Sequence, residues 1–174
     1  MEIRTSTILR LRDALLKSGS RKSAIVTSAY ATLVKRELFT KEETDAITRV
    51  APFAESMFLV IAADEKVTDT ELTALRGAVR GLTGDVLSDE ILVMLMEKYA
   101  QLLRQDGLHK RLETIASVLD QTEVHHALSL SAAVALADDQ LVEAEDSVIQ
   151  KMRRAYGLEQ VQIVTVLDAL SLDT

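Results

Sequence analysis

Two short acidic stretches contain the residues best suited to chemistry. They read ADEKVTDTEL and ADDQLVEAED, residues 63–72 and 137–146, and in each an Asp is followed seven positions later by a Glu. Grouped carboxylates repel one another and lose hydration unless their pKa values rise or a cation lies among them. Oxygen-only ligands suit Mg²⁺, Ca²⁺ or Mn²⁺, whereas Zn²⁺ becomes plausible only if a histidine joins. The stretches indicate either a divalent-cation site or a metal-free acidic surface.

The two stretches belong to a longer internal repeat. Residues 57–75 align with residues 131–149 at a constant offset of 74. Each copy is predicted to be a helix, a short acidic turn and a second helix. Two such units can cover each other's apolar faces in one bundle.

Helical spacing predicts that four acids of the repeat point toward the core. The two aspartates extend the apolar stripe of the preceding helix, and the two glutamates lie on the apolar stripe of the following helix. These candidate metal ligands are Asp64, Glu71, Asp138 and Glu145.

Helix capping is an alternative explanation for the two glutamates. Thr68 and Glu71 form an S/T-x-x-E capping box, in which the Glu binds a backbone N–H and has no further role. The second copy has Val142 at the position of Thr68, and valine offers no side-chain oxygen. Capping therefore explains Glu71 better than Glu145. The pattern is not an EF-hand, because Lys66 takes the third position of the loop.

The rest of the sequence predicts an all-α fold to position these acids. Of the 174 residues, 48% are hydrophobic but only 3% aromatic, with one Pro, six Gly and no Cys. This composition favours packed helices over a sandwich of short strands and excludes disulfides and thiolate metal sites. Caps and breakers predict helices over about 6–17, 21–36, 41–50, 52–64, 69–82, 89–105, 108–119, 122–137, 143–156 and 159–171.

We expect a single domain over residues 1–174, with N-terminal helices to residue 50 and a helical core over 51–174. The formal charge is −7, which argues against nucleic-acid binding. Residues 1–36 nevertheless hold eight basic and two acidic residues on an amphipathic helical pattern. This segment could contact a membrane surface or an acidic partner, or simply pack on the acidic body. Without a signal peptide or spanning segment, a cytoplasmic protein is expected.

A weaker candidate is a di-iron carboxylate site. Glu123 and His126 form E-x-x-H, and Asp106 with His109 gives an imperfect second half. Both pairs are predicted at helix beginnings rather than in the middle of a bundle, so solvated first-turn residues are the favoured interpretation.

The stretch AVALADDQLVEAEDSVIQKMRRAYGL closely resembles the C-terminal signature of the tellurite-resistance TerB family, and MFLVIAADEKVTDTELTAL resembles its first copy. The resemblance covers roughly residues 50–158. It implies an all-helical fold, no enzymatic activity, and an acidic site proposed to bind metal within bacterial systems that resist tellurite and other chemical stress. The family's acids fall on the four candidates named above. Glu65 and Asp139 replace the family's Gly and could supply additional ligands.

Two function classes remain open from the sequence. The leading hypothesis is a non-enzymatic, divalent-metal-binding helical module that acts through protein partners in a stress response. The alternative is a metal-free helical adaptor that docks proteins or a membrane surface through its acidic body and basic N-terminal helix. A carboxylate-dependent hydrolase is a minor third class. Neither the ion nor the oligomeric state follows from the sequence.

Overall fold

A computed structural model describes residues 39–63, 66–137 and 141–160, together with Leu9, Arg12 and Asp13. This part of the chain is helical and contains no strand, which confirms the all-α prediction. Its helices are α1 (Lys41–Ile61), α2 (Asp69–Thr83), α3 (Asp89–Asp106), α4 (Leu108–Ala116), α5 (Gln121–Ala135) and α6 (Glu143–Ala155).

Helix α1 is the centre of the bundle. It contacts each of the helices α2 to α6, and α5 most extensively. Every residue from Val50 to Ile61 is buried, so this half of the helix is covered on all sides. A helix segment that is buried on all sides belongs in a core, and the other helices pack about it.

The predicted break at Pro52 is wrong, because α1 continues through it as a single helix. Proline has no N–H, so one intrahelical bond is lost at a cost of about 3 kcal/mol. Burial of the surrounding apolar side chains outweighs that cost, as tertiary packing commonly overrides local preference. The Pro52 carbonyl also accepts a 2.7 Å hydrogen bond from the Ser56 hydroxyl one turn later.

The remaining helix boundaries in the described regions lie within a few residues of those predicted. Gly84 caps the C-terminus of α2, and its φ of 66° is left-handed and therefore suits glycine. Gly107, with φ of 78°, separates α3 from α4. The predicted helices over 6–17, 21–36 and 159–171 lie almost entirely outside the described residues. The extent of the domain stays a prediction.

The two units of the predicted repeat correspond to α1 followed by α2 and to α5 followed by α6. Helix α5 packs on both α1 and α2, and α1 packs on α6, so each unit covers the other. The units share this helical hairpin form, while a duplication as such stays a prediction. No helix in the described regions is both long and apolar enough to cross a bilayer.

Candidate metal site and a buried polar network

Glu71 lies in the first turn of α2, where it closes a capping box with Thr68. Its Oε2 accepts a 2.7 Å hydrogen bond from the Thr68 backbone N–H and a 2.8 Å bond from the Thr68 hydroxyl. The Thr68 hydroxyl oxygen in turn accepts from the Glu71 backbone N–H. Glu71 is only 4% exposed, so the predicted inward position is observed.

Glu145 has the same role in α6 with only half of the box. Its Oε2 accepts a 3.0 Å hydrogen bond from the Val142 backbone N–H. The side chain of Val142 cannot return the bond, yet Glu145 is 2% exposed. A valine at the cap position therefore does not prevent Glu145 from capping α6, because this bond needs only a backbone N–H at the cap and an acid three residues later.

Two further helices begin with the same reciprocal box but carry no acidic turn. Glu43 pairs with Thr40 at the start of α1, and Glu123 pairs with Asp120 at the start of α5. Glu123 is 8% exposed, so its side chain is nearly as buried as those of the two glutamates of the repeat. A buried capping glutamate thus also occurs where no acidic turn adjoins it, so the burial of Glu71 and Glu145 is not specific to the acidic turns. A carboxylate has two oxygens, and both bonds from Thr68 reach Oε2 of Glu71, so Oε1 of Glu71 can still serve as a ligand.

The other candidate ligands, Asp64, Glu65, Asp138 and Asp139, lie outside the described residues. The residues that flank both acidic turns nevertheless line one cavity of about 350 Å³. Ala62 and Ala63 contribute from the first turn, and Ala144 and Ser147 from the start of α6. Glu71 and Glu145 are not among the described residues that line it. Within the described regions no three His, Asp or Glu side chains group as a metal site.

The residues of the predicted di-iron alternative are engaged elsewhere. Asp106 accepts from Lys110 at 3.0 Å and from Arg111 at 2.9 Å, and both hydrogen bonds lower the pKa of Asp106. His109 Nε2 lies 3.2 Å from Glu113 Oε1, while Glu123 caps α5. These contacts hold helix starts in place and do not form a di-iron site.

A buried ion pair that the sequence interpretation missed joins the middle of α1 to α4. The Arg111 guanidinium donates to both carboxylate oxygens of Glu55, at 2.7 Å and 3.0 Å. Burial raises the pKa of Glu55, and the bonds from Arg111 oppose that rise without cancelling it. For Arg111, burial lowers the pKa, but the bonds and charges of Glu55 and Asp106 together raise it by more. Asp106 also accepts from Arg111, so two carboxylates share one guanidinium.

Ser56, which follows Glu55 in α1, makes a second buried polar contact. The Ser56 and Tyr156 hydroxyl oxygens are 2.6 Å apart. Since Ser56 gives its single proton to the Pro52 carbonyl, the Tyr156 O–H donates to Ser56 Oγ. Burial raises the pKa of the Tyr156 phenol; the bond to Ser56 opposes this, and the charge of Glu55 adds to it. This contact joins α1 to the residue that caps the C-terminus of α6.

One signal for these contacts was visible in the sequence. Glu55 and Ser56 interrupt the otherwise apolar stretch of α1, and buried polar groups need partners. Their partners are 56 and 100 residues away in sequence, so no local pattern could identify them.

The comparisons with known proteins agree with the resemblance seen in the sequence. The family described as "Tellurite resistance protein TerB" matches residues 49–167. No curated protein and no solved structure gives a significant match. The matched region includes both acidic turns, the Glu55–Arg111 pair and five complete helices, α2 to α6, with much of α1. The chain therefore belongs to the TerB family.

Proposed function

We propose that the chain is a non-enzymatic helical module that binds a divalent cation between its two acidic turns. It acts through protein partners in the response to tellurite or a related chemical stress. The observation that carries the proposal is that residues flanking both turns line the same cavity of about 350 Å³. Membership of the TerB family supports the stress-response context.

The ligands in this proposal are carboxylates from both turns. Asp64 and Asp138 would provide the principal oxygens, with Glu65 and Asp139 as additional donors. Glu71 would add the oxygen that it does not use for capping, and Glu145 is the matching glutamate of the second turn. An all-oxygen set favours Mg²⁺, Ca²⁺ or Mn²⁺ over Zn²⁺. Because the flanking residues share one cavity, we propose one shared site.

A metal-free adaptor is the second candidate, and a specific observation favours it. Glu71 and Glu145 are satisfied by backbone N–H groups in the same way as Glu123, which adjoins no acidic turn. Their burial thus needs no cation. The two candidates differ in what the aspartates of the turns do, so the deciding experiment must target an aspartate.

Thermal melting with Ca²⁺, Mg²⁺, Mn²⁺ and Zn²⁺, against a chelator control, separates the two candidates. A cation at a hundredfold excess over its Kd should add roughly 2.7 kcal/mol to the free energy of unfolding. Asp138→Ala should abolish this gain. Asp146→Ala is the matched control, because Asp146 is an exposed acid of the same region outside the proposed ligand set. If no cation raises the melting temperature, or if Asp138→Ala keeps the gain, the metal-free adaptor is the better account.

A further inference from the structure

An apolar groove lies between α4 and α6, next to the cavity at the acidic turns, with which it shares Leu108 and Lys151. It encloses about 710 Å³. Leu108, Leu112 and Ala155 contribute apolar surface, and Lys151 and Arg154 stand along the α6 side. We call these five residues, with His109 and Glu113 on the α4 side, the α4–α6 groove.

The basic edge of the groove is unusual for a chain with a formal charge of −7. Lys151 and Arg154 are exposed and three residues apart on α6, so they lie on one side of the helix. Neither forms an ion pair within the part of the chain that the structure describes. Arg154 lies in the last turn of α6, where a cation interacts favourably with the helix dipole, but that effect places no apolar surface beside it.

Two buried contacts of α1 hold the walls of the groove in position. Glu55 binds Arg111, which directly precedes Leu112 on α4. Ser56 binds Tyr156, which directly follows Ala155 at the end of α6. Adjacent residues of one helix thus fix both walls. A preformed groove avoids part of the ordering cost of binding.

We propose that the α4–α6 groove binds an acidic amphipathic helix of a partner protein. Two packed helices leave a groove that accepts the side-chain ridge of a third helix. Apolar side chains one turn apart on the partner helix would fill the α4–α6 groove, in the helix-in-groove mode of peptide recognition. Carboxylates beside these side chains would meet Lys151 and Arg154. Charge complementarity therefore selects an acidic helix over a basic one. This proposal requires no bound cation, although the groove adjoins the cavity at the acidic turns.

The test uses two labelled helical peptides of about 18 residues with the same leucine face, one with Glu and one with Lys on the polar flanks. Fluorescence anisotropy with the full chain, in chelator, measures binding without any contribution from a metal. The Glu peptide should bind saturably at one per chain, and the Lys peptide should bind at least about tenfold more weakly. Lys151→Glu/Arg154→Glu should reverse this preference.

The matched control is Lys41→Glu/Arg104→Glu, which changes the net charge equally at exposed positions outside the groove. It should leave the preference for the Glu peptide in place. The proposal would be overturned if the wild-type chain bound both peptides equally. It would also be overturned if the control variant lost the preference for the Glu peptide as fully as the Lys151/Arg154 variant does. Binding of anionic phosphatidylglycerol vesicles but of neither peptide would overturn it as well. A change in oligomeric state in the Lys151/Arg154 variant without peptide binding would assign the groove to a second copy of the chain instead.

Discussion

At the residue scale, the buried acids in the described part of the chain divide into two kinds. Glu71, Glu123 and Glu145 satisfy backbone N–H groups at helix starts, whereas Glu55 pairs with the guanidinium of Arg111. Removing one partner of a buried ion pair leaves an uncompensated charge, which costs more than losing a cap. Glu55 and Arg111 are therefore expected to matter more for stability than any glutamate of the acidic turns.

Arg111→Leu should lower the free energy of unfolding by about 3 kcal/mol, because it leaves the Glu55 carboxylate buried without its main donor. Glu55→Leu should cost less, since Arg111 keeps its bond to Asp106. The double variant should cost at least about 1 kcal/mol less than the sum of the single variants. Urea unfolding of the four proteins at neutral pH measures this coupling, and simple additivity would contradict the ion-pair assignment.

The sign of the pH dependence provides a check on the same variant. Burial already raises the pKa of Glu55, and loss of Arg111 removes the effect that opposes the rise. A carboxyl group with a higher pKa in the folded than in the unfolded state stabilises the fold when protonated, and this stabilisation is lost as pH rises through the folded pKa. The loss in free energy of unfolding caused by Arg111→Leu should therefore become smaller as pH falls. A loss that does not change with pH would mean that the buried Glu55 carboxylate is not its cause.

At the element scale, the sequence predicted most helix starts because their signals are local. Thr40, Thr68 and Ser88 each accept a hydrogen bond from a backbone N–H in the first turn of the following helix. Pro52 misled the prediction because the burial that overrides it comes from helices distant in sequence. The same limit applies to the Glu55–Arg111 pair, since partners 56 residues apart can be matched only once the topology is known.

The candidate site was only partly predictable for a related reason. The apolar stripes correctly placed Glu71 and Glu145 inside, because helical periodicity is a property of the local sequence. The Val142 cap was missed because its donor is a backbone N–H, which every residue except proline carries. Side-chain type at the cap position was thus the wrong criterion for α6.

Two substitutions of Glu145 separate capping from cation binding. Gln can still accept the Val142 N–H, so in chelator Glu145→Gln should cost less than Glu145→Ala, which loses the cap bond at about 1 kcal/mol. With cation present, Glu145→Gln should lose part of the ion-induced stabilisation because the ligand charge is gone. Glu123→Gln has the same cap but no acidic turn, and it should keep the full ion response in thermal melts. An equal ion response of the two Gln variants would show that Glu145 is not a ligand.

At the scale of the whole molecule, α1 joins the different parts of the TerB-family bundle. Its buried C-terminal half packs against α5, holds α4 and α6 through Glu55 and Ser56, and ends at the first acidic turn. The proposed cation site and the α4–α6 groove lie next to each other, because the two cavities share Leu108 and Lys151. An ion at the acidic turns would therefore lie close to a surface that is proposed to receive a partner.

Ion content is the most direct measurement of the central claim, that the two acidic turns hold one divalent cation between them. Elemental analysis of the purified chain after dialysis against Ca²⁺, Mg²⁺ or Mn²⁺ counts the bound ions. We predict one ion per chain, lost in Asp64→Asn and also in Asp138→Asn, because both turns contribute to a single site. An ion-free wild-type chain, or full ion content in both variants, would contradict the claim.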